Sequence, residues 1–128
     1  VDFNALGLLI LRVGFGATMA VQHGLPKLLD FSNKMKTFPD PLHLGSGLSL
    51  SLALGAELVC AILIIVGIFT RWAAFPLAIN MGVAFFLIHG LDPMAKKELA
   101  LLYFLAFSAI VACGPGAYSA DAVFRRVR

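Results

Sequence analysis

The sequence predicts an all-α membrane protein, a four-helix up-down transmembrane bundle, and three observations carry that expectation. Hydrophobic residues make up 60% of the chain and charged residues 13%, against ~45–50% and ~25% in soluble domains. The apolar residues gather in four runs, 5–25, 48–69, 72–88 and 98–113, parted by gaps that hold most of the prolines and charges. Every basic residue except Arg12 lies in a gap or in the C-terminal tail, where cations meet headgroups. With 10 Lys+Arg and 7 Asp+Glu over 128 residues, a soluble surface of this size would be poorly solvated. That excludes an ordinary cytosolic globule, a disordered chain and a nucleic-acid module; the net charge of +3 belongs to the membrane interface.

The first run, 5–25, is broken by Arg12 and His23. It is too long for a cleavable signal and leads directly into further spans; a chain that opens on Val1 is expected to lack a short N-terminal piece. Segment 26–46 carries Lys27, Asp30, Lys34, Lys36, Asp40, Pro39 and Pro41. It reads as an extramembrane loop with an amphipathic piece around 28–38 and a solvated His43. The second run, 48–69, has Glu57 as its only charge, and Thr70-Arg71 makes a tight turn. The third, 72–88, contains Asn80, with Pro76 near enough to its start to be tolerated. The fourth needs Glu98 and Cys113 to approach bilayer thickness, and Gly114-Pro115-Gly116 stops it.

Short connections between runs two, three and four make neighbours antiparallel and put both termini on one side. Arg71, Arg125, Arg126 and Arg128 face that side, against Lys27, Lys34, Lys36, Lys96 and Lys97 on the other. The clustered tail arginines and the long first loop favour cytoplasmic termini. Glycines and alanines let helices approach closely, the phenylalanines face lipid or fill the bundle, and Trp72 anchors at the interface. No internal repeat is present. Cys60 and Cys113 follow no metal or redox spacing.

Ionisable groups inside apolar runs are costly and therefore paired or functional. Arg12, Gly16, Met19 and His23 recur every three or four residues and share one face; Lys27 follows a turn later, rotated by ~60°. Counting ~1.5 Å per residue sets Arg12 ~9 Å, Asn80 ~12 Å and Glu57 ~18 Å from the same side. An extended arginine stem spans the difference, so Arg12, Glu57 and Asn80 form one candidate intramembrane network. It is either a salt bridge that registers two helices or part of a proton or ligand site. At the opposite end Gln22, His23, Lys27, His89 and Glu98 gather at similar depth. His23, Lys27, His89 and Glu98 are the candidate ligand-binding residues, for a quinone carbonyl or a small anion, set against ordinary helix ends meeting headgroups and water. Bis-histidine haem through His23 and His89 rests on those two residues alone, and no haem, flavin or metal site is evident.

Four motifs in order resemble the DoxX family of small bacterial and archaeal membrane proteins. Leu11-Arg12 with His23-Gly24-Leu25-Pro26-Lys27-Leu28 is similar to its first signature. Glu57, an apolar stretch, Gly67 and Thr70-Arg71 are similar to the second. Glu98-Leu99-Ala100-Leu101-Leu102 matches an acidic helix start, and Gly114-Pro115-Gly116 with Ser119 and Asp121 matches the ending, with Ala120 where Leu is commoner. The resemblance implies a four-helix protein of the cytoplasmic (inner) membrane tied to redox physiology. Relatives include the membrane subunit of a thiosulfate:quinone oxidoreductase and small partners of superoxide dismutase and sulfurtransferase. It marks Arg12, His23, Lys27, Glu57 and Glu98 as family-typical without assigning them chemistry.

Three functions compete. A quinone-linked redox subunit would bind the quinone head near His23 and Glu98 and take electrons from a partner subunit or a small reductant. A non-catalytic accessory subunit would instead scaffold a larger membrane complex, or a homo-oligomer, through its helix surfaces. A transporter would need a discontinuous span pair that the sequence lacks.

Overall fold

A computed structural model describes residues 1–127, with the backbone alone at Val127; Arg128, grouped above with the tail arginines, lies outside the described residues. The chain is helical, with no strand among the described residues. Six helices follow in order: α1 Phe3–Leu29, α2 Phe31–Thr37, α3 Ser46–Val66, α4 Thr70–Ile88, α5 Met94–Cys113 and α6 Ala120–Val127. Helices α1, α3 and α4 are long and apolar enough to cross a membrane. At most 33% of their apolar stretches is buried, so Ile62, Phe75 and Phe86 point outward. In water such a surface would aggregate; in lipid it is matched to its solvent. Of the four crossings expected, these three helices meet the expectation on length and apolarity. α5 has 20 residues, but its start carries Lys96, Lys97 and Glu98.

The interior is lined by small residues. Ala73, Ala74 and Ala78 of α4 pack with Leu77 against Tyr103, Phe107 and Ile110 of α5. Small side chains let backbones approach until dispersion contacts accumulate, the main packing term where lipid is as apolar as the core. α1 lies against α3 and, less extensively, α5. The two charged groups of the interior, Arg12 at 0% exposure and Glu57 at 4%, are thus shielded from lipid.

Each of the three apolar helices contains a π-helical turn: Ala20–Gly24 in α1, Gly55–Cys60 in α3 and Ala84–Ile88 in α4. A π-turn takes up about one extra residue, or ~100° of helical rotation, and so redirects every side chain beyond it. α1 then runs on through Pro26 to Leu29, further than the first apolar run, and the amphipathic piece of the loop becomes α2. α4 likewise continues unbroken through Pro76.

The end that carries both termini is stitched by two side chains. Asp121, at the start of α6, accepts from the backbone N–H of Phe69 and of Thr70 and from the Thr70 hydroxyl, each at 3.0 Å. It therefore caps α4 from across the fold, and it holds Phe69 in a left-handed conformation (φ 48°) that a non-glycine residue seldom adopts. Gly67 closes α3 at φ 85°. A Cβ there would sit 2.5 Å from Arg12 Nη1 and 2.6 Å from Ser119 Cβ, so glycine is required on both conformational and steric grounds.

Partial burial pushes the Asp121 carboxyl up, but the bonds from Thr70 and Phe69, with Arg125 nearby, outweigh it and hold it below the usual carboxylate range. A lowered folded-state value makes the cap's contribution complete above the unfolded value of ~3.9 and lost as pH falls through the folded value. Asp121→Asn is expected to lower stability at pH 7 by about 1 kcal/mol. Thermal unfolding in detergent checks this: the gap between the two proteins should be full above about pH 4 and narrow as pH falls below it, and a gap that stays constant contradicts the cap.

Candidate functional site

The π-turns of α1 and α3 face each other. A Cβ on Gly24 would fall 2.9 Å from the carbonyl oxygen of Glu57, so a larger residue would force the helices apart. At this crossing Lys27 Nζ stands 2.6 Å from Glu57 Oε2. Asn80 of α4 donates from Nδ2 to Glu57 Oε1 at 3.1 Å. Lys27 Nζ also reaches the carbonyl of His23 at 3.4 Å. Both carboxylate oxygens of Glu57 are thus engaged, one by a cation and one by an amide. Removing a carboxylate from water costs several kcal/mol, offset only when a counter-charge and hydrogen bonds stand in place.

The expected Arg12–Glu57 pair is corrected. Arg12 turns toward the other end of the bundle, where Nη1 donates to the carbonyls of Ile64 (3.1 Å) and Ile65 (3.3 Å) and Nη2 donates to that of Tyr118. The physical reason is local. The last carbonyls of α3 have no intrahelical donors, because Gly67 breaks the ladder, and a guanidinium fork answers several carbonyls at once. Lys27, carried round by the π-turn, supplies the cation at Glu57 instead. The Glu57–Asn80 half of the expected network is present; Arg12 belongs to the stitching of the termini.

Of the candidates gathered at the far end, the structure brings Lys27 to Glu57 with His23 beside the pair, and leaves His89 and Glu98 apart. His23 is half-buried and edge-on to Tyr103, with ring centroids 5.4 Å apart. Tyr103 also meets Phe15 edge-on and stacks on Phe107, so an aromatic column runs from α1 into α5. His89 bonds to Asp92 at 2.8 Å across the α4–α5 connection. Glu98 is exposed and makes no side-chain hydrogen bond or ion pair among the described residues. Tyr103 was not anticipated, because one tyrosine in an apolar run reads as packing.

An apolar cavity of about 300 Å³ lies between α3 and α4, roofed by the segment from Phe38 to Leu44. Leu52, Ala53 and Ala56 form one wall, and Pro76, Ile79, Asn80 and Val83 the other. Asn80 is therefore shared between the cavity and the buried carboxylate. The roof is fastened by Asp40, which accepts from the hydroxyl of Ser49 and the backbone N–H groups of Leu44 and Gly45, each at 2.8 Å. The Ser49 bond first, then the backbone bonds and His43, hold that carboxyl below its usual range. His23, His89 and Glu98 do not line this cavity.

If Lys27 is the counter-charge, Lys27→Met leaves a buried carboxylate uncompensated and should cost ~3–5 kcal/mol. Combining it with Glu57→Gln should recover much of that loss, whereas Arg12→Met and Glu57→Gln should combine additively. Unfolding of the single and double variants in mixed detergent measures both cycles; strong coupling of Arg12 to Glu57 with none of Lys27 would contradict the assignment.

The DoxX family profile matches residues 7–90, which holds Arg12, His23, Lys27, Glu57 and Asn80 and leaves α5 and α6 outside. Two uncharacterized proteins of Haemophilus influenzae are similar. One is 38% identical over 119 residues, covering 84% of each chain; the other is 30% identical over 132 residues, covering 97% of this chain and 87% of that one. No solved structure matches. On the matched span and these relatives, the chain is a membrane protein that belongs to the DoxX family.

Proposed function

We propose that this protein is the small membrane subunit of a redox system, binding a quinone-type ligand in the cavity beside Asn80. The observation that supports it is the double duty of Asn80, one N–H held by a buried, ion-paired carboxylate and the side chain on the wall of an apolar cavity. An amide has two N–H groups, so one is left for a carbonyl oxygen inside the cavity. A volume near 300 Å³ is at the small end of ligand sites and suits a single ring. A lipid-soluble tail would leave between α3 and α4. The residues fit such a head: apolar walls, one free donor, and a carboxylate one bond behind it.

Bound there, a quinone would supply two-electron, two-proton acceptor chemistry. Asn80 orients the ring by hydrogen bonding, and the apolar roof excludes water. Glu57 is the nearest group of this chain able to hold a proton, and Lys27 compensates its charge when the proton is absent. Electrons come from a partner subunit or a small reductant. In this reading α5 is the fourth crossing, its 20 residues spanning ~30 Å with Lys96, Lys97 and Glu98 at the headgroups. The protein lies in the cytoplasmic membrane with cytoplasmic termini.

Purified protein in mild detergent should gain several degrees of thermal stability with decyl-ubiquinone, and Asn80→Leu should abolish the gain while retaining helical content. Absence of any shift in the wild-type protein would overturn the quinone reading. Stoichiometric co-purifying membrane proteins without quinone binding would support the scaffold function.

A further inference from the structure

A larger cavity lies away from Asn80, at the end of the bundle where the chain termini meet. It measures about 760 Å³ and is bordered by Arg71 on the first turn of α4 and by Arg125 and Arg126 on α6. None of these arginines makes an ion pair among the described residues. Arg71 lies across Gly114 and donates to the carbonyl of Ala112 at 3.4 Å, which holds its guanidinium over the end of α5. The carboxylate on the wall, Asp121, is already engaged by the backbone of Phe69 and Thr70. The cavity is therefore electropositive with its one acid occupied.

Trp72 and Phe69, on its border, are apolar and exposed, at 81% and 66%. In α6 the apolar residues recur at Ala120, Val123 and Phe124, opposite the arginines, so this short helix is amphipathic and turns its arginine side to the recess. Among the described residues nothing covers Trp72 or Phe69. An aromatic rim beside a cationic recess has the chemistry of a phosphate carried on acyl chains: the recess takes the headgroup, the rim the first methylenes.

We propose that this recess is a binding site for one anionic phospholipid of the leaflet on the terminal side, its phosphate held by Arg71, Arg125 and Arg126 and its chains laid against Trp72 and Phe69. A lipid so placed joins the α3–α4 turn to α6, two parts of the chain otherwise linked through Asp121 and Arg12. A leaflet rich in anionic lipid then selects the side on which the termini rest, which the near-balanced loop charges leave open.

Native mass spectrometry of the detergent-solubilised protein, titrated with phosphatidylglycerol or phosphatidylcholine, tests this. The wild-type protein should retain phosphatidylglycerol in preference to phosphatidylcholine. Arg125→Gln with Arg126→Gln, both at exposed positions, should reduce retention by about fivefold per charge, and adding Arg71→Gln should abolish the preference. Lys34→Gln with Lys36→Gln, on α2 at the far end, should match wild type. Equal retention of the two lipids, or no effect of the arginine pair, overturns the proposal. So does displacement of the lipid by millimolar glycerol phosphate, which would make the recess a site for soluble phosphate.

Discussion

Glu57 sits near the middle of an apolar helix with 4% of its surface exposed, and the arrangement around it follows from the need to keep its charge answered. In hydrocarbon an unanswered carboxylate is excluded by energy alone, so a cation and a donor must arrive from neighbouring helices. Lys27 arrives from α1 and Asn80 from α4, which fixes the rotation of three helices about one point. Gly24 makes the approach sterically possible, and the paired π-turns present the side chains toward each other. π-turns forgo regular α-helical bonding and recur where a helix serves a site rather than its own stability.

Arg12 shows the same constraint met by different chemistry. Its guanidinium has no carboxylate partner; it answers the carbonyls at the end of α3 and one from the terminal segment. It acts as a helix cap delivered from the middle of another helix, and Asp121 returns the favour at the start of α4. The bundle thus has a polar latch at each level: Arg12 and Asp121 toward the termini, Lys27, Glu57 and Asn80 further in. The first suits rigidity, since its partners are backbone groups. The second consists of side chains alone and lies beside the Asn80 cavity.

Much of this was legible in the residues. Polar groups stranded in apolar runs single out Arg12, His23, Glu57 and Asn80, and of the expected Arg12–Glu57 pair with Asn80 as its third member the Glu57–Asn80 bond is present. Which cation would meet Glu57 did not follow, because a count at 3.6 residues per turn assumes regular helices. One π-turn before Lys27 swings it by ~100°, and nothing in Ala20-Val21-Gln22-His23-Gly24 announces that turn. Arg12's true partners are carbonyls, which every residue has, so they leave no mark in the sequence. The grouping of His89 and Glu98 with His23 assumed that equal depth means contact; His89 instead meets Asp92, three residues along. The amphipathic α6 was legible only as a cluster of arginines, since eight residues give the periodicity little to work on.

The account turns on which cation serves the buried carboxylate, and solid-state NMR on the protein in lipid bilayers reads that directly. With ¹⁵N-labelled lysine and arginine side chains and ¹³C-labelled glutamate, dipolar recoupling should place Lys27 Nζ within hydrogen-bonding range of the Glu57 carboxyl, with no such coupling from the Arg12 guanidinium. A strong Arg12–Glu57 coupling with Lys27 remote would contradict the account at its centre.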